Sequence, residues 1–145
     1  MKKIGLLSLA VLLGACDIHF GSFANDWKTA DAATDVFHQY AAQGKFSAMY
    51  GMGSALMKQQ QTEQEFVQAA EQGMQIYGPM KVARQLRAAC FPNQVRLLYQ
   101  TEFQNGKGTE KLVWQVRENK AELISYQVEP GEVDLDSLPD SSCSK

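Results

Sequence analysis

At Gly78-Pro79 the chain changes period, and that junction limits the fold more than any other feature. Upstream, Thr62-Glu63-Gln64-Glu65 reads as a capping box, in which the Thr62 hydroxyl and the Glu65 carboxylate serve each other's backbone N–H. Phe66, Ala69, Ala70, Met74 and Tyr77 follow at helical spacing until Gly78-Pro79 stops the segment. Downstream, apolar residues recur at a period near two: Val82, Leu86 and Cys90, then Val95, Leu97, Tyr99, Thr101 and Phe103. Leu112, Trp114 and Val116 share a third face, and Ile124, Tyr126 and Val128 a fourth. The breaks at Phe91-Pro92-Asn93-Gln94, Asn105-Gly106 and Glu118-Asn119-Lys120 are short enough for hairpins. The expected fold is α+β, with N-terminal helices packed on an antiparallel four-stranded meander.

The first helix should run from about Trp27 to Ala42, with Ala30, Ala33, Phe37, Tyr40 and Ala41 on one stripe, Val36 at its margin and Asp31 elsewhere. Gly44 stands where a left-handed cap would end it, and Lys45 to Tyr50 can make a further helical turn before Gly51-Met52-Gly53. One domain over residues 26–128 accommodates these elements.

The extreme N-terminus carries a different signal. Met1-Lys2-Lys3 precedes a ten-residue apolar run from Ile4 to Leu13, too short to span a bilayer, and Gly14-Ala15-Cys16 ends it. This segment resembles the leader and lipobox of bacterial lipoproteins. The resemblance implies removal of residues 1–15, lipid on Cys16, a tether over 16–25 and a domain facing the periplasm. Asp17 resembles the signal for retention at the inner membrane. The competing readings are a soluble periplasmic protein whose leader is cut at another small residue, and a cytoplasmic protein with an apolar start.

The whole chain carries 14 basic and 16 acidic residues, so losing Lys2 and Lys3 leaves 12 against 16 and a net charge of −4. All of that excess lies in residues 129–145, where Glu129, Glu132, Asp134, Asp136 and Asp140 face only Lys145. Such a balance offers no footprint for nucleic acid. With Cys16 assigned to lipid, Cys90 and Cys143 remain as a pair suited to a disulfide in an oxidising compartment; the alternative is a buried thiol and a stray one. The bond would carry the acidic tail back over the first two strands, placing Asp134 and Asp136 near Lys81, Arg84, Arg87 and Arg96.

The helices, the turn around Gly44-Lys45-Phe46, the capped helix ending at Gly78-Pro79 and the meander resemble the cystatin-like, nuclear transport factor 2-like superfamily. Tyr99-Gln100-Thr101-Glu102-Phe103, Asn105-Gly106-Lys107-Gly108 and Glu110-Lys111-Leu112-Val113-Trp114 are similar to its small bacterial envelope members. The resemblance implies a curved sheet around a conical pocket, with Phe37, Tyr40, Met74, Tyr99, Trp114 and Tyr126 as candidate lining. It also implies a ligand or catalysis in that pocket, and a sheet face able to form a homodimer.

An isomerase or dehydratase would need acids, a histidine or tyrosines there, and Asp35 with His38 could supply a base and its orienter. A solvated helix face is the simpler reading of that pair. His19, His38, Met49, Met52 and Met57 lack a tight ligand repeat, so no metal or other cofactor is expected. No nucleotide, zinc or hydrolase motif appears. The reading is a non-catalytic, membrane-anchored binding module for a small apolar ligand or an envelope protein partner, with the pocket enzyme as alternative.

Overall fold

A computed structural model describes residues 22–143; the leader, Cys16, Asp17 and His19 lie outside them. The order is α1 (Phe23–Ala42), α2 (Phe46–Gly51), α3 (Ala55–Gln60), α4 (Glu63–Tyr77), β1 (Met80–Phe91), β2 (Gln94–Phe103), β3 (Gly106–Arg117) and β4 (Lys120–Pro130). A short 3₁₀ turn over Leu135–Ser137 follows. The strands form one antiparallel sheet in the order β1-β2-β3-β4. The structure is thus the expected α+β arrangement of helices and a meander.

Local chemistry sets most boundaries. Thr62 accepts from the Glu65 N–H while the Glu65 carboxylate accepts from the Thr62 N–H and hydroxyl, so the capping box starts α4. These bonds hold the Glu65 carboxyl below the usual carboxylate range. Gly44, at φ +66°, lets Lys45 N–H reach the Tyr40 carbonyl and closes α1. Helix α1 starts four residues before Trp27, taking in Phe23, whose carbonyl oxygen lies 3.6 Å from Cys90 Sγ. Helix α3 was not expected; Ser54 caps it by accepting from Met57 N–H.

The alternation slips at bulges. Extra residues at Lys81 and Leu86 shift the phase of β1. Val82 therefore points away from the core and is 49% exposed, whereas Ala88 and Cys90 are buried. On β4 the extra residue is Ile124, which brings Leu123 into the core ahead of Tyr126. The core face joins Val95, Leu97, Leu112, Trp114, Val116 and Leu123 to Ala30 and Phe37 of α1. Thr34 sits among them, accepting from Trp114 Nε1 at 2.9 Å and donating to the Ala30 carbonyl.

The opposite face is polar: Arg84, Arg96, Gln100, Glu102, Lys111 and Gln127 share it by register. The C-terminal segment crosses this face. Gln100 donates to the Gly131 carbonyl, Arg87 reaches the Leu135 carbonyl, and the hydroxyls of Ser141 and Ser142 accept from Ala88 and Cys90 N–H. Cys143 ends the crossing at bonding distance from Cys90, with S–S 2.08 Å. The tail thus folds back as anticipated, but among the described residues Asp134 and Asp136 form no ion pair with the bases of β1 and β2. Asp134 instead accepts from Asp136 N–H. The segment holds by its backbone and serines, and it covers the free edge of β1.

The β3-β4 turn places Glu118 and Asn119 at φ +51° and +59°, where Asn-Gly is preferred. The double substitution Glu118→Asn, Asn119→Gly is expected to raise stability by about 0.5–1 kcal/mol. Urea titration measures it, and an unchanged midpoint would count against strain in this turn.

Candidate functional site

Helix α4 is fixed at its ends and stands off the sheet between them. Near its start, Phe66 is buried against the Tyr50 ring at 5.8 Å; near its end, Tyr77 meets the Phe103 ring at 5.1 Å. Asn105 N–H donates to the Tyr77 carbonyl and Gln104 N–H to that of Pro79, tying this end to the β2-β3 turn. Gly78 is required there: its φ is +72°, and a Cβ would lie 2.9 Å from Gln104 Cβ.

Between these ends lies a cleft of about 890 Å³. Ala69, Ala70 and Met74 of α4 roof it; Met80, Phe103, Tyr126 and Val128 come from the sheet, and Phe46, Met49 and Met57 from α2 and α3. Four of the chain's six methionines are in this wall. Unbranched thioethers adapt to irregular apolar shapes, which suits a surface that accommodates a guest. Among the described residues the one charged side chain in the lining, Glu65, is engaged in the capping box; Gln60, Gln61 and Gln72 supply uncharged polar groups.

Behind the cleft wall runs a chain of polar contacts. Glu110 is fully buried on β3, in phase with Leu112 and Trp114. Its Oε2 lies 2.7 Å from His38 Nε2, and its Oε1 accepts from the Tyr126 hydroxyl at 2.8 Å. Burial, and then the charge of Glu110, raise the Tyr126 hydroxyl well above the usual tyrosine range. The His38 ring stands edge-on to Tyr99 at 5.2 Å. The Tyr99 hydroxyl donates to Asp31 at 2.9 Å and lies 3.3 Å from Gln85 Oε1, which also accepts from Trp27. Burial and the Asp31 carboxylate push Tyr99 strongly upward as well. Both phenols therefore stay protonated and act as donors: Tyr99 ties β2 to Asp31 of α1, while Tyr126 holds, within the sheet, the Glu110 that meets His38 of α1.

Of the six residues named as pocket lining, Met74 and Tyr126 line the cleft. Phe37 and Trp114 are fully buried, with rings 6.2 Å apart; Tyr99 belongs to the polar chain, and Tyr40 packs partly buried on the core. His38 pairs with Glu110, while Asp35 is exposed, so the geometry does not make Asp35 the orienter. Met52 packs against the core, apart from Met49 and Met57 in the cleft wall. Among the described residues no three of His, Cys, Asp and Glu gather as metal ligands, and no helix is long and apolar enough to cross a membrane.

The sequence reading missed Phe46, Met80 and Phe103 as lining and Glu110 as a partner. The glutamate did carry a signal, since it falls in phase with the apolar residues of its strand. Comparison with protein families, curated proteins and solved structures gave no match.

Proposed function

We propose that the chain is a lipid-anchored envelope binding module whose cleft under α4 holds an uncharged apolar ligand. The observation that carries this reading is the methionine-rich wall, whose one charged group among the described residues is already engaged. The leader and Cys16 supply the anchor in this reading, and Asp17 favours the inner membrane. In the cystatin-like arrangement the cleft would be the open mouth of the cone. The polar outer sheet face, crossed by the C-terminal segment, favours a ligand in the cleft over a homodimer through the sheet.

The anchor and the cleft would sit at opposite ends of the domain. Phe23, near the tether, lies at Cys90, while Met80 at the other end of β1 lines the cleft. Ten positions of strand separate them, roughly 30 Å at about 3.3 Å per residue. The alternative of an isomerase or dehydratase is weaker, because Glu110 is sealed behind Tyr126 and spends both oxygens on protein partners.

The test is binding of the neutral dye N-phenyl-1-naphthylamine to the full-length chain. Met74→Trp, compared in the same detergent, fills the cleft and should weaken dye binding at least tenfold. It should leave the melting temperature within about 2 °C, since Met74 is only half-buried. Equal dye binding by the two proteins would refute the proposal.

A further inference from the structure

The cleft wall includes an open strand edge. Five consecutive residues of β4, Ile124 to Val128, line it, although a strand turns alternate side chains to opposite faces. A run of this kind lines a cavity only where the strand's edge faces it. The hydrogen-bond phase agrees. Gly131 N–H donates to the Lys107 carbonyl, so Gly131 and the alternate positions Glu129, Gln127 and Ser125 bond toward β3. The N–H and C=O of Tyr126 and Val128 therefore point outward, and among the described residues no protein group bonds them.

The same edge is already used one step further along. Leu123 donates to the Met52 carbonyl and accepts from Ser54 N–H, making a parallel bridge at Gly53. Strand pairing on β4 thus stops where the cleft begins. At the other end Pro130, without an N–H, closes the edge.

From this geometry we infer that the ligand of the cleft is an extended, uncharged polypeptide segment that adds to the free edge of β4 as a further strand. The inference rests on the apolar-cleft reading and names its occupant. Two donors and two acceptors, on Tyr126 and Val128, meet its backbone, and every second side chain enters the floor of Met80, Phe103 and Val128. The charges on the wall favour this occupant over an acyl chain. A fatty acid or phospholipid carries an anionic head, and among the described residues no Lys, Arg or His lines the cleft to receive it. Gln60 and Gln61 each offer an amide donor and an acceptor, the groups that a peptide backbone presents in return.

The probe is the peptide acetyl-Thr-Val-Thr-Val-Thr-Val-amide, carrying a fluorophore and titrated with the full-length chain by polarisation. A second peptide, N-methylated at alternate residues, keeps the side chains and loses the pairing edge. The unmodified peptide should bind, and the methylated one at least tenfold more weakly. On the protein side, Val128→Pro removes an outward N–H without breaking the ladder to β3 and should weaken the peptide at least tenfold. Val128→Ala keeps the N–H and should lose less. Equal binding of the two peptides would overturn strand addition and leave the apolar cleft standing. So would binding of N-phenyl-1-naphthylamine without binding of either peptide. Failure of the dye and both peptides would remove the cleft reading itself.

Discussion

Replacing His38 by Leu is expected to lower the stability of the domain by about 3–5 kcal/mol. Glu110 is fully buried, and His38 Nε2 sits 2.7 Å from one of its oxygens with a side chain only 12% exposed. Removing the imidazole strips a buried carboxylate of its partner, a loss that the remaining Tyr126 hydroxyl cannot make good. The melting temperature should fall by roughly 10–20 °C for a domain of this size. A second variant separates loss of the pair from loss of packing. His38→Leu with Glu110→Leu and Tyr126→Phe leaves no polar orphan, and should recover most of the stability, because replacing all partners of a buried polar contact by apolar groups is often nearly neutral. Thermal and urea unfolding of both proteins measure this. A loss below about 1 kcal/mol in the single variant, or no recovery in the triple, would show that the contact does not hold α1 to the sheet.

The features that were legible in the sequence are those whose cause is local. The capping box at Thr62 and Glu65, the left-handed Gly44 and the turns at Pro92-Asn93 and Glu118-Asn119 involve residues a few positions apart, and each appears where expected. The bulges were hidden for the opposite reason. An extra residue at Leu86 or Ile124 leaves alternation intact on both sides and changes only its phase, which then depends on how the partner strand is paired. Glu110 lay in plain phase with Leu112, yet its partner is 72 positions away and gives no neighbouring sign. The cleft was the hardest to foresee. Phe66, Ala69, Ala70, Met74 and Tyr77 make one helical stripe, but only Phe66 is buried. A stripe that fills a core and one that roofs a cavity share the same composition; the difference lies in how far α4 stands from β4. That distance is set by Phe66 on Tyr50 and Tyr77 on Phe103, contacts between elements distant in sequence.

Cys143→Ser should cost nearly as much stability as the loss of His38, by a different route. Cys90 and Cys143 are 53 positions apart, and a bond closing such a loop removes about 4 kcal/mol of unfolded-chain entropy on the loop-closure account. The native side should suffer too. Ser141 and Ser142 satisfy Ala88 and Cys90 N–H on the open edge of β1, and the exposed ion pair of Lys107 with Glu132 is a weak substitute for a covalent tie. Once the tail detaches, β1 presents an unpaired strand edge, so the variant should also self-associate at concentrations where the parent stays monodisperse. Reducing agent should reproduce the destabilisation in the parent and have no effect on Cys143→Ser. The cleft under α4 provides an internal control through the proposed dye binding. It lies at the Met80 end of β1, away from Cys90, and should keep its affinity below the new melting temperature. Stability unchanged by either the substitution or reduction would mean that the serine contacts, without the covalent link, are enough to hold the tail across the sheet.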